Sequence, residues 1–250
     1  MALRTIPAVG AALGILGAAQ WLGIRSPPRA VPGVSVTATA ALLGVARAAG
    51  LGRDDLGLAP SRLRAGARLG GAPAAAVGVG YAVGAALPVT RALFADRRAA
   101  RTFPGALRQA CVDVPLGTVL LEETGFRAVL PALLRERCGP AGADAVAAVL
   151  FGLWHVLPSA ALVEANPALA RASGGGARPG RAATAAGNVV VTAAGGALFG
   201  LLRRRSGSLL APALTHTALN AFGYLAAYAV RRAGAPSRAG GVSPPGPAGG

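Results

Sequence analysis

The chain has 250 residues, a formal net charge of +16, 53% hydrophobic residues and only 14% charged residues. A soluble domain carries roughly 25% charged residues, and the mean hydropathy here is +0.52. The shortage of charge argues against a soluble nucleic-acid binder, which the net charge alone would suggest, and no nucleic-acid partner is expected. The basic residues, all of them Arg, lie between apolar runs, where they meet anionic lipid headgroups. The use of Arg alone, with the Ala and Gly richness, reads as GC-rich coding bias and hints at a bacterial source. The shortage of charge and the apolar runs point to an integral membrane protein, so a bacterial plasma membrane is the expected location.

The apolar runs are near the length of about twenty residues that crosses a bilayer core as a helix. They predict an all-α, polytopic transmembrane helix bundle of about seven spans. Pro7–Ile24 is the first, read as a retained helix rather than a cleaved signal. Gly33–Leu51 is the second. Gly52–Arg68 reads as an extramembrane loop with a short amphipathic helix from Pro60. Leu69–Val89 is the third span, with Gly80 and Gly84 at the spacing that lets helices approach closely. Leu107–Leu134 is the fourth, closed by Arg135–Pro140, and Ala141–Leu162 the fifth. A Gly/Pro/Arg loop over Glu164–Arg181 leads to the sixth, Ala182–Leu202, with Gly196 and Gly200 at packing spacing. Leu209–Val230 is the seventh. The chain divides into N-terminal helices and loops (1–104), a core (105–230) and a disordered Arg/Gly/Pro tail (231–250). Cys111 and Cys138 have no metal or disulfide spacing and read as apolar helix residues.

Ionisable groups inside spans are functional candidates, because an unpaired one costs a few kcal/mol on insertion scales. Both His residues of the chain, His155 and His216, fall inside spans, as does the doubled acid Glu122-Glu123. Depth brings them together. From Leu134 back to Glu122 is about twelve residues, roughly 18 Å, and from Ala141 to His155 about fourteen, roughly 21 Å. From Leu209 to Asn220 is about eleven, roughly 17 Å, with His216 one turn shallower. Glu123 and Arg127, four apart, suit a same-face ion pair that neutralises Glu123. Glu122 points about 100° away and has no charged neighbour on its own helix, so it is the candidate general base. His216 and Asn220 share a face and can both donate hydrogen bonds to a developing oxyanion.

These residues form three motifs: Glu122-Glu-Thr-Gly-Phe-Arg127, Phe151-Gly-Leu-Trp-His155 and His216-Thr-Ala-Leu-Asn220. In order and on separate spans, they resemble the EExxxR, FxxxH and HxxxN/D motifs of the CPBP family of intramembrane metalloproteases, which includes the type II CAAX prenyl endopeptidases and the bacterial Abi-type membrane proteins. The resemblance covers about residues 105 to 230. It implies an endopeptidase acting on membrane-associated protein or peptide substrates, CAAX-type proteins among them. Glu122 and His155 would activate the attacking water, His216 and Asn220 would stabilise the oxyanion, and Glu123, Arg127 and Phe151 would shape the site. A divalent metal such as zinc, held by Glu122, His155 and His216, and a metal-free glutamate mechanism are equally compatible with the residues. The competing readings are a catalytically silent immunity or scaffolding protein of the same family and a proton-coupled transporter using the same buried groups.

Overall fold

The structure is a computed structural model and describes residues 2–166, 168 and 181–234. Among them the architecture is all-α, with no strand. The tail from residue 235 and most of the expected loop before residue 181 lie outside the described residues. Helices α1 (Ala2–Arg25) and α2 (Val31–Ala48) form an N-terminal pair. The expected amphipathic helix near Pro60 is instead a single tight turn, Pro60–Arg62, that runs directly into α3 (Leu63–Ala86). The third span therefore starts earlier than its hydropathy suggests.

One apolar helical segment, Phe103–Pro158, is 56 residues long. At 1.5 Å per residue it would reach about 84 Å if straight, far beyond a bilayer core of about 30 Å. It does not stay straight. Gly139 has φ 65° and ψ 169°, a conformation nearly confined to glycine, and Pro140 behind it has no N–H to continue the ladder. The chain reverses there, giving limbs α4 (103–138) and α5 (140–154). Ring contacts across the hairpin confirm the reversal: Phe126 lies 5.3 Å from Phe151 and 5.6 Å from Trp154, centroid to centroid. After a break at His155 follow α6 (Val156–Ala165), α7 (Arg181–Ser206) and α8 (Leu210–Ala233). The last helix thus extends into the stretch expected to begin the tail.

Among the described residues, five helical segments are long and apolar enough to cross a membrane. The difference from seven has two sources. The expected fourth and fifth spans are limbs of one continuous segment, and α8 falls short in hydropathy because it carries His216, Asn220 and threonines. Bulky apolar side chains face outward along the bundle, Val79, Val89, Val190 and Val191 each more than half exposed, as lipid contact requires.

Helix α4 is the centre. Every residue from Leu121 to Leu133 is buried, so this stretch is surrounded on all sides. Apolar stripes at helical spacing bring its neighbours onto it, Ala12, Leu16 and Ala19 from α1, and Ala38, Leu42 and Ala46 from α2. Three π-helical turns, Gln109–Asp113, Pro115–Val119 and Thr124–Val129, interrupt α4. The first and third lie just ahead of Pro115 and Pro131, which cannot donate the backbone bond an α-helix needs at that point. Close approach of α3 to α8 is made by Gly66 and Gly70 rather than Gly80 and Gly84. A Cβ on Gly70 would sit 2.4 Å from the Ala211 carbonyl, whereas one on Gly80 would meet nothing within 4 Å. The α7 glycines do pack as expected, Gly196 against Phe151 and Gly200 against Asp144 of α5.

Candidate active site

The doubled acid sits near the N-terminal start of the buried stretch, Glu122 and Glu123 being 6% and 1% exposed. On any helix, adjacent side chains diverge by about 100°, so one pair addresses two neighbours. Glu122 meets α5: its Oε1 accepts the Trp154 indole N–H at 3.0 Å. Its Oε2 lies 3.8 Å from His155 Nε2 and 3.7 Å from His216 Nε2, too long for direct hydrogen bonds and suited to a shared bridging group. Glu123 meets α8: its Oε1 accepts from His216 Nδ1 at 2.8 Å. Arg127 lies 3.6 Å from the same oxygen. The expected i,i+4 ion pair is present, and the shorter contact goes across the bundle to histidine.

The break in the helix prepares His155. Its backbone is at φ −86°, ψ 0°, the bridge region frequent among active-site residues. Its N–H donates to the Gly152 carbonyl at 3.1 Å, three residues back rather than four. The Phe151 carbonyl then accepts from the His155 ring at Nδ1, at 2.9 Å. Since a carbonyl only accepts, that bond places the proton on Nδ1 and turns Nε2 toward Glu122. Both imidazoles therefore use Nδ1 for an acceptor that orients them and direct Nε2 at one carboxylate oxygen.

Aromatic rings hold the polar groups. Phe151 contacts the His155 ring edge-on at 4.5 Å, and Phe199 of α7 stacks on His216 at 5.0 Å. The Arg127 guanidinium lies 3.7 Å from the Phe151 ring centre and 5.0 Å from that of Phe199. Its terminal nitrogens, like Glu122 Oε2 and Glu123 Oε2, are buried with no hydrogen-bond partner among the described residues. The guanidinium is held by two ring faces and one carboxylate.

The structure brings together Glu122, Glu123, Arg127, Phe151, His155 and His216. Asn220 is half-buried, one helical turn beyond His216, and its side chain makes no hydrogen bond among the described residues. The depth count had placed Asn220 rather than His216 level with Glu122. It assumed an α-helical rise through Thr124–Val129, where the π turn packs more residues into each turn. Among the described residues no group of three or more His, Cys, Asp or Glu side chains is arranged to hold a metal ion. Trp154 and Phe199 were missed. Trp154 stands inside the second motif beside His155, and that adjacency was its only signal; Phe199 had none.

Helices around a buried carboxylate pair and two histidines define a class, an integral membrane protein with a polar site in its interior. Residues 108–222 match the family model described as type II CAAX prenyl endopeptidase Rce1-like. That segment holds all three motifs, and over it the chain is similar to this family of membrane proteases. Searches of curated proteins and of solved structures found no match.

Proposed function

We propose that the chain is an intramembrane endopeptidase that hydrolyses peptide bonds of membrane-associated protein substrates, CAAX-type proteins among them, in a bacterial plasma membrane. The observation that carries this reading is the convergence of His155 Nε2 and His216 Nε2 on Glu122 Oε2 at 3.8 and 3.7 Å. A carboxylate oxygen and an imidazole nitrogen at that separation can share one water molecule and accept both its hydrogens. Glu122 takes one proton as the water oxygen attacks the scissile carbonyl carbon, with His155 holding the second hydrogen. With a carboxylate facing each ring nitrogen, His216 in its doubly protonated form has an acceptor for both protons, and its Nε2–H can turn to the tetrahedral oxyanion together with the Asn220 amide. Glu122 then delivers its proton to the leaving nitrogen, and the C–N bond breaks. No step runs through a metal.

General acid–base catalysis contributes about 10² to 10⁴-fold, so Glu122→Gln in proteoliposomes should lower cleavage of membrane-anchored peptides by at least the lower figure while the protein stays folded. Membrane proteomes of cells carrying wild type and Glu122→Gln would then differ in a defined set of cleaved proteins. Cleavage undiminished in Glu122→Gln, or full replacement of the wild type by that variant in a deletion strain, would sink the reading in favour of a silent scaffold.

A further inference from the structure

We propose that Gln20, on the N-terminal helix α1 and outside the family segment, is a positioning residue for this site, acting through Trp154 on Glu122. The proposal rests on the hydrolase reading for its kinetic consequences but not for its geometry. Between Thr5 and Arg25, helix α1 carries one polar side chain apart from its tryptophan, and it is Gln20. An amide placed there in an apolar helix needs a partner. It has one: Gln20 Nε2 donates to the Trp154 carbonyl at 2.7 Å.

That carbonyl is available for a reason written in the sequence. In a continuing α-helix it would accept from the N–H of residue 158, which is proline. Gln20 supplies the donor that Pro158 lacks, at the residue before the His155 break. The same Trp154 donates its indole N–H to Glu122 Oε1 at 3.0 Å. One oxygen of Glu122 is thereby fixed, and the other is left facing both histidines. Helix α1 is itself seated against α4 beneath the site: Leu16 lies so close to Gly125 that a Cβ there would come within 2.8 Å of it. The chain of bonds from Gln20 to Trp154 to Glu122 gives the N-terminal helix a hold on the carboxylate that the reaction depends on.

The test uses Gln20→Met, which keeps the length of the side chain and removes the donor. It should lower kcat about tenfold with KM little changed, the loss expected for one buried hydrogen bond, and shift the pH profile of kcat in the same direction as Trp154→Phe. The double variant should be no worse than Trp154→Phe alone, because Gln20 acts through that ring. A second readout does not need turnover. In a Trp21→Phe background Trp154 is the sole tryptophan of the two in the chain. Its emission maximum should move in Glu122→Gln, which changes the acceptor of the indole N–H, and should also move in Gln20→Met. If no variant cleaves any peptide yet Gln20→Met moves that emission, the hydrolase reading fails and the positioning role stands. An emission maximum and a kcat profile both unchanged in Gln20→Met, or a double variant in which the two losses add in full, would overturn the proposal.

Discussion

Glu123 carries two jobs that a single substitution mixes and a pair of substitutions separates. Its Oε1 receives His216 Nδ1 at 2.8 Å and faces Arg127 at 3.6 Å. In Glu123→Gln the amide oxygen can still accept from Nδ1, but without charge. A hydrogen bond to a charged group is worth about 1.5–3 kcal/mol and a neutral one about 0.5–1.5. The difference, about 1–1.5 kcal/mol, is about tenfold in kcat/KM. Stability suffers separately. Arg127 is 3% exposed, and stripping a buried ion of its partner costs about 3–5 kcal/mol. Two aromatic faces, worth about 2 kcal/mol when desolvated, remain, so the net loss should be about 1–3 kcal/mol. Adding Arg127→Met removes the stranded cation, and the double variant should melt above Glu123→Gln while staying about tenfold impaired. Thermal unfolding in detergent and turnover of a fluorogenic membrane-anchored peptide measure the two quantities on the same preparations. Full activity in Glu123→Gln, or activity restored with stability in the double variant, would reduce Glu123 to a counterion for Arg127 and refute its role on His216.

Two further outcomes follow from packing and charge outside the site. Gly70→Val should cost more than about 3 kcal/mol or prevent folding, since its Cβ would fall 2.4 Å from the Ala211 backbone, while Gly80→Ala should melt within about 0.5 kcal/mol of wild type; equal losses at the two positions, read by thermal unfolding, would contradict the α3–α8 packing. In the loop before α4, burial would raise the pKa of Asp96, but the Arg98 hydrogen bonds and charge outweigh it and hold the carboxyl below its ordinary value. The sign follows: Asp96 contributes stability above its unfolded pKa, and that contribution is lost as pH falls through the lower folded one. Arg98 is more than a third exposed, so screening limits the effect to under about 1 kcal/mol. Asp96→Asn should lower Tm slightly at neutral pH and remove that part of the decline below about pH 4; an unaltered acid limb would count against the pairing.

The membrane class, the helical architecture and the three motifs were legible because their signals are local. Apolar runs measure themselves against the bilayer, and four-residue spacings report one helix face. Two kinds of feature were not local. The reversal at Gly139 needs a positive φ that neither composition nor hydropathy registers, although Gly-Pro marked a boundary. The bond from Gln20 to Trp154 spans 134 residues, and its cause, a missing N–H at Pro158, becomes visible only once α1 is placed beside α5. The Gly80 and Gly84 spacing shows the opposite limit, a pattern that was present but faced open space at one of its two positions, while Gly66 and Gly70 made the crossing.

The adjacency of the two acids is what allows one helix to organise a site built from four. Neighbouring side chains diverge by about 100°, and on an ordinary surface-facing helix one of them would point to lipid, where a carboxylate is expensive. Only a helix buried all round can keep both inside. The stretch Leu121–Leu133 meets that condition because α1 and α2 cover one side, α5 another, and α7 and α8 the rest. The N-terminal pair, recognisable in sequence only as apolar, therefore supports the proposed site twice over. It shields the acids from lipid, and through Gln20 it fixes the tryptophan that holds one of them. A family segment of residues 108–222 alone would expose that flank of α4 and leave the Trp154 carbonyl without its side-chain donor. The three motifs and the helices that precede them thus form one packed unit.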